Sequence, residues 1–202
     1  MSIDVIVIGA GGHGKVVADA VLCAGDRVLG FLDDHATTPV AGLPILGGID
    51  DYRRFPHAAF VVAIGNATAR RQVVQRLDGV RWHTVIHPAA VVSPMEVSVG
   101  EGTVILAGAV VNPGAQIGCH SIINTAAVVE HDNRIGEFAH VSVGARLAGT
   151  VSVGDNTWVG IGATVSNNLS ICADCLLGAG TVVVRDIDRP GTYVGVPARR
   201  LR

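Results

Sequence analysis

The sequence predicts an α/β domain built on a small parallel sheet, residues 1–82, followed by an all-β domain wound as a parallel coil, residues 83–202. Three observations carry this. Strand-like and helix-like segments alternate in the amino-terminal part, as they do in parallel sheets with crossover helices. From residue 99 every sixth residue is aliphatic: Val99, Ile105, Val111, Ile117, Ile123, Val129, Ile135, Val141, Leu147, Val153, Val159, Val165, Ile171, Leu177 and Val183. The residues two places before these are mostly small, among them Thr103, Ala109, Ala115, Ser121, Ala127, Ala139 and Ala145. A period of six suits neither a helix nor a flat strand. It suits a three-sided coil, in which each short strand and its corner use six residues and send one side chain inward.

In chain order, Asp4 to Ile8 (DVIVI) is a nearly continuous β-branched run, suited to a buried parallel strand. The turn Gly9-Ala10-Gly11-Gly12-His13-Gly14 follows, and a helix is expected over Lys15 to Ala24. A second strand over Val28 to Leu32 ends at Asp33-Asp34. A third over Phe60 to Ile64 ends at Gly65-Asn66, before a helix from Ala67 to Leu77. The glycine turn makes the domain Rossmann-like, because it lets a phosphate approach N–H groups at a helix start. Asp33 and Asp34 stand where an acidic residue accepts ribose hydroxyls. The motif alone also admits a NAD-binding reading, though the domain is short for both halves of a dinucleotide.

Val85 to Val97 reads as the opening coil, with His87 and Ser93 in the aliphatic places. Gly100, Gly118, Gly136 and Gly154 recur at the length of one triangular coil and are expected to supply its turn conformations. The phase is unbroken from 99 to 183, so no long loop should project. The competing reading is a β-sandwich with irregular strands. In the hexad register His131 falls two residues after the inward Val129, on an outward corner. One coil later its column holds Gly149, whose missing side chain leaves room for an imidazole. His140 lies half a coil further on, on another side of the prism. The two would share a site only across a subunit boundary. Cys172 and Cys175 imitate a zinc or redox pair, but in register one faces out and one in, so no metal site is expected.

Composition excludes other classes. Lys and Arg number 15 against 17 Asp and Glu, so nothing draws in nucleic acid. Apolar residues are 49% and aromatics 4%, which argues for an aliphatic core and against disorder. There is no run long enough to insert in a membrane and no signal-peptide opening. Four cysteines without a disulfide pattern make the cytoplasm the expected compartment.

The segments GAGGHGKV (9–16), FLDD (31–34), AIGN (63–66), IHP (86–88), NTAAVVEHD (124–132), GEFAHVSVGA (136–145), VGIGA (159–163) and GVPAR (195–199) span essentially the whole chain. Together they resemble the hexapeptide-repeat bacterial sugar acyltransferases: UDP-4-amino-sugar N-acetyltransferases, perosamine acetyltransferases and proteins of sialic acid O-acetylation. The resemblance implies a left-handed β-helix, a homotrimer, and acetyl-CoA bound at the subunit interface. It implies His131 as general base held by Asp132, with His140, Ile161 and Ala179 meeting acetyl-CoA. Gly11, Gly12, His13, Asp33, Asp34 and Gly65 would bind the nucleotide-linked amino-sugar. Arg199 and Arg200 are candidates for the CoA phosphates. Two departures stand out: Asn133 where many relatives carry cysteine, and Ala179 where the family has glycine. The reading expected is N-acetylation of a nucleotide-linked amino-sugar. O-acetylation of a sialic acid or polysaccharide hydroxyl, a non-catalytic nucleotide-sugar scaffold and a nicotinamide oxidoreductase are the alternatives.

Overall fold

A computed structural model describes residues 2–201. Its amino-terminal part contains β1 (Asp4–Ile8), α1 (Gly12–Cys23), β2 (Arg27–Leu32), β3 (Ile45–Gly47), a 3₁₀ turn over Ile49–Arg54, β4 (Ala59–Val62), α2 (Ala67–Arg76) and β5 (Arg81–Trp82). The sheet is wholly parallel, in the order β3-β2-β1-β4-β5. Every residue of β1 after Asp4 is buried, as its β-branched composition requires. α1 starts three residues earlier than the sequence suggests, because the glycines of the turn already take helical geometry.

Strands, mostly two residues long, then recur every six residues and stack into faces of eight, six and five strands, parallel throughout except that the closing Arg199–Arg200 strand pairs antiparallel with Gly191–Val194. The eight-stranded face runs from Val85–Ile86 to Arg199–Arg200 and the six-stranded face from Val91–Val92 to Val182–Val183. The five-stranded face runs from Ser98–Val99 to Ser170–Ile171. The aliphatic hexad from Ile105 to Val183 fills the interior and is buried throughout. No sandwich forms.

Two sequence expectations need correction. In the opening coil Ile86, Val92 and Val99 pair with Ile105, Val111 and Ile117, so His87 and Ser93 lie one place beyond the aliphatic positions. One extra residue between Val92 and Val99 breaks the phase there. The glycines at 100, 118, 136 and 154 do not supply turn conformations either. Their φ values are ordinary, and a Cβ on Gly100 would lie 2.5 Å from the Cys119 backbone nitrogen. They allow successive coils to approach. The left-handed residues instead recur every six, one at each corner; Gly114, Asp132 and Thr150 share one column, and His120 and Phe138 another.

The amino-terminal domain docks on the eight-stranded face. Val85, Val104 and Leu106 join Val17, Val21 and Phe31 in one buried cluster, so α1 is held between sheet and coil. No helix among the described residues is long and apolar enough to cross a membrane.

Candidate functional site

The first cavity lies beyond the carboxyl ends of β1, β2 and β4. About 380 Å³ in volume, it gathers Gly11, Gly12, His13, Asp33, Asp34 and Gly65, with Ile49 and Ile64. The chain builds its mouth from α1, whose N-cap Gly11 has no side-chain cap and whose first turn has no acidic residue. The free N–H groups there favour an anion. Gly14 is dictated by packing, since a Cβ would overlap the Gly9 carbonyl, whereas side chains at Gly11 and Gly12 would meet nothing within 4 Å. Those two glycines keep the cavity mouth open.

Asp33 holds the glycine turn in shape. Its carboxylate accepts N–H bonds from Ala10, His35 and Ala36, each at 2.8 Å. Burial pushes the carboxyl up, but these three donors outweigh it and hold it below the usual range. Asp34 accepts from the Ile49 N–H at 2.8 Å and from Arg76 at 3.0 Å; those two bonds lower its carboxyl. The His13 Nε2 is buried without a partner, and burial, with Arg70 nearby, pushes the ring down to about 4.

His140 lies in the seam between the domains, on the eight-stranded face, and is 5% exposed. Its ring stacks on Trp158 at 5.1 Å and stands 6.3 Å from the His13 ring. The Asn124 side-chain oxygen accepts from the Thr125 N–H, which turns the amide nitrogen toward His140 Nε2 at 2.9 Å. Nε2 therefore accepts and Nδ1 carries the proton, buried beside the Gly65 backbone but without a well-formed hydrogen bond to it. Burial first, then Arg70 and His13, push His140 down to about 3. It is a neutral group at physiological pH.

Behind Trp158 a second cavity of about 250 Å³, mostly apolar, brings Ile161 and Ala179 together with Ser142, Gly160, Leu176 and Gly178. His140 touches its wall through Trp158 without lining it. Arg199 and Arg200 are exposed and bond to backbone carbonyls of Ala198 and Pro190.

His131 and Asp132 occupy the corner between the six- and five-stranded faces, across the prism from the eight-stranded face. His131 Nδ1 lies 2.8 Å from Asp132 Oδ2, and both side chains are more than half exposed. The carboxylate accepts the Nδ1 proton, which leaves the Nε2 lone pair outward. Glycines flank the pair on both neighbouring coils. A Cβ on Gly149 would overlap His131 Nε2, and one on Gly114 would lie 2.6 Å from Asp132 Oδ1. Asp132 itself is left-handed, with φ of 59°, a conformation aspartate tolerates. Within one chain this pair and the seam around His140 remain on different sides of the coil.

Asn133 is fully buried behind the pair, where its Oδ1 accepts the Val151 N–H at 2.6 Å and its Nδ2 has no partner. Thr103 and Thr157 serve the amides of Ser121 and Cys175 in the same way at another corner. Cys172 is half-buried and Cys175 buried, yet their sulfurs lie 3.5 Å apart across the corner at the left-handed Asp174. A different set, Asp19, Cys23 and His87, places three donor atoms within 4.8 Å of one another. It does not suit a metal, since His87 Nδ1 accepts the Ala89 N–H and the ring proton is then on Nε2.

Sequence reasoning missed Arg70, Asn124, Trp158 and Gly114. Only Gly114 left a signal, one coil before Asp132 in the left-handed column.

Residues 4–77 match the PglD N-terminal domain family. Over 112 residues the chain is 42% identical to the UDP-N-acetylbacillosamine N-acetyltransferase of Bacillus subtilis (strain 168), covering 52% of this chain and 51% of that one. The chain thus spans about half the length of that curated relative. The acetyltransferase domain of PglB from Neisseria gonorrhoeae FA1090, solved with acetyl coenzyme A, is 37% identical with a TM-score of 0.95, and the match covers 100% of both chains. PerB from Caulobacter crescentus, solved with CoA and GDP-perosamine, is 39% identical with a TM-score of 0.91, over 98% of this chain and 97% of that one. These structural neighbours are left-handed β-helix domains, and the coil described here shares their fold.

Proposed function

The chain belongs to the hexapeptide-repeat family of bacterial sugar acyltransferases, and from that premise we propose that it moves an acetyl group from acetyl-CoA to the amine of a nucleotide-linked amino-sugar. The observation that carries this reading is the His131–Asp132 contact of 2.8 Å with Nε2 left open over Gly149. The amine nitrogen attacks the thioester carbonyl, and His131 Nε2 takes the proton that the nitrogen sheds. Asp132 holds the tautomer that makes Nε2 the acceptor and stabilises the imidazolium that forms. The tetrahedral intermediate collapses, the C–S bond breaks, and the CoA thiolate leaves and takes up a proton.

The first cavity would hold the nucleotide, with its phosphates at the start of α1. The second would hold the acyl end of acetyl-CoA along Ile161 and Ala179, with His140 as a neutral neighbour. The dyad lies on another side of the same prism, so a complete site calls for a neighbouring copy to bring its corner to this face. A homotrimer working in the cytoplasm fits that requirement. The names and bound ligands of the relatives support amine acetylation over hydroxyl acetylation.

The test is release of free CoA thiol from acetyl-CoA with a panel of UDP-, GDP- and dTDP-linked amino-sugars. Turnover with at least one member is expected, with acetamido product by mass. Thiol release that never depends on an amino-sugar would overturn the reading.

A further inference from the structure

Arg70, in the first turn and a half of α2, is 1% exposed, and no carboxylate among the described residues pairs with it. Every donor it has ends on a carbonyl. Nη1 donates to Ile64 and Gly65 at 2.7 and 3.0 Å; Nε donates to His120 at 2.8 Å; Nη2 donates to Phe138 and Ala139 at 2.6 and 3.4 Å. The first two carbonyls belong to the rim of the amino-terminal cavity, and the other three to corners of the coil. Burying a cation without an anion is costly, and a seam that needed only packing would be better served by a hydrocarbon. A planar fork of five donors does what a hydrocarbon cannot: it fixes carbonyls of two domains at set distances.

Those carbonyls adjoin functional groups on both sides. Gly65 faces His140, since a Cβ built there would lie 3.9 Å from the ring, and Ala139 immediately precedes His140. The guanidinium thus closes a loop through Gly65, Ala139 and His140. We propose that Arg70 is a positioning residue that locks the rim of the nucleotide cavity to the strand carrying His140, so that a sugar held in the first cavity is presented in register to the second. This rests on the acetyl-transfer reading above.

The same cation adds to burial in keeping its neighbours neutral. His140 faces Arg70 and His13, and His13 faces Arg70, His140 and, across the cavity, Asp33 and Asp34. Removing the guanidinium should let both rings, and His120, protonate more easily; because burial is the larger cause, Arg70→Lys, which keeps the charge, separates the electrostatic part from a wetter seam.

The experiment compares Arg70→Met and Arg70→Lys in the full chain, with three readouts: steady-state kinetics, UDP and GDP affinity by calorimetry, and histidine titration by NMR. Arg70→Met is expected to lower kcat/KM for the amino-sugar about 10- to 100-fold, with the KM for acetyl-CoA unchanged within about twofold because the second cavity does not touch Arg70. Its His13 and His140 midpoints should rise. Arg70→Lys should keep the midpoints low yet retain most of the kinetic loss, because an ammonium cannot bridge both sets of carbonyls. Full activity in Arg70→Lys, or unchanged sugar kinetics in a folded Arg70→Met, would overturn the proposal. If Arg70→Met does not fold, Arg70→Lys decides alone. Should the native protein show no acetyl transfer, the parent reading fails and takes the presentation role with it, while lost nucleotide affinity in Arg70→Met upholds the locking of the cavity rim alone.

Discussion

His131 and His140 sit on the same coil, half a turn apart, and the chain treats them in opposite ways. His131 is on an open corner, held by a carboxylate and cleared on one side by Gly149. His140 is sealed between Trp158, Asn124 and the amino-terminal domain, with a guanidinium nearby. An imidazole that must take up a proton needs access and an anion to stabilise the result. One that must stay neutral needs the reverse. The fold supplies both from one repeat, because a corner faces solvent while the eight-stranded face is covered by a second domain. Position in the six-residue register, and not residue type, decides which chemistry each can do.

The largest expected effect breaks this comparison at its exposed end. His131→Ala should lower kcat by about 10²- to 10⁴-fold, the usual worth of a positioned base. Its thermal midpoint should stay close to that of the native protein, since exposed substitutions away from packed features cost about 0.5 kcal/mol or less. Near-normal turnover in the variant, followed by thiol release, would remove His131 from the mechanism. A subtler change sharpens the point. Gly149 has an ordinary φ, so alanine fits its backbone, yet the new Cβ would overlap the imidazole. Gly149→Ala should therefore displace His131 and cost about 10- to 100-fold in kcat with little loss of stability. Activity within about twofold of native would show that the open space over Gly149 is not used.

The buried end of the comparison predicts a pH effect. Burial lowers His13 and His120 to about 4 and His140 to about 3, against an ordinary value of 6.5. Below pH 6.5 the unfolded chain binds protons that the folded chain refuses, so stability is whole above that value and falls with pH until the folded values are reached. Between pH 7 and pH 5 the melting temperature should drop by about 10 to 20 °C. A flat profile by calorimetry would mean that the seam is wet.

How much of this was legible follows from what leaves a mark in sequence. The interior of the coil writes an aliphatic every six residues, so its register from Val99 onward, the corner position of His131 and the gap at Gly149 all followed from counting. One extra residue before Ser98 was enough to misplace His87 and Ser93, because a period carries register only while unbroken. Burial of His140 and Arg70 was not legible. Both are covered by another domain, and the partners of Arg70 are backbone carbonyls, which every residue has. The six residues of the amino-terminal cavity came from the family resemblance, on motifs at the glycine turn and the strand ends, but Asp33 holds the turn by three backbone bonds, a role its sequence position does not reveal.

The smallest effect concerns the residue behind the dyad. Asn133 gives the buried Val151 N–H its acceptor, and removing that acceptor costs about 1–3 kcal/mol. The same side chain buries an Nδ2 with no partner, a penalty of about the same size that substitution relieves. For Asn133→Cys, which restores the residue many relatives carry, the two terms oppose each other, and sulfur is a weak acceptor that recovers part of the first. The net change in stability should lie within about 1 kcal/mol, read by denaturant unfolding, with kcat unchanged within about threefold because Asp132 is aligned by His131 and its own corner. A loss of more than about 2 kcal/mol would mean that Nδ2 is bonded in solution, with a buried water as the natural partner. Asn133 would then join the exposed dyad to the interior of the coil, and the division between an open and a sealed histidine would no longer be one of surface against seam alone.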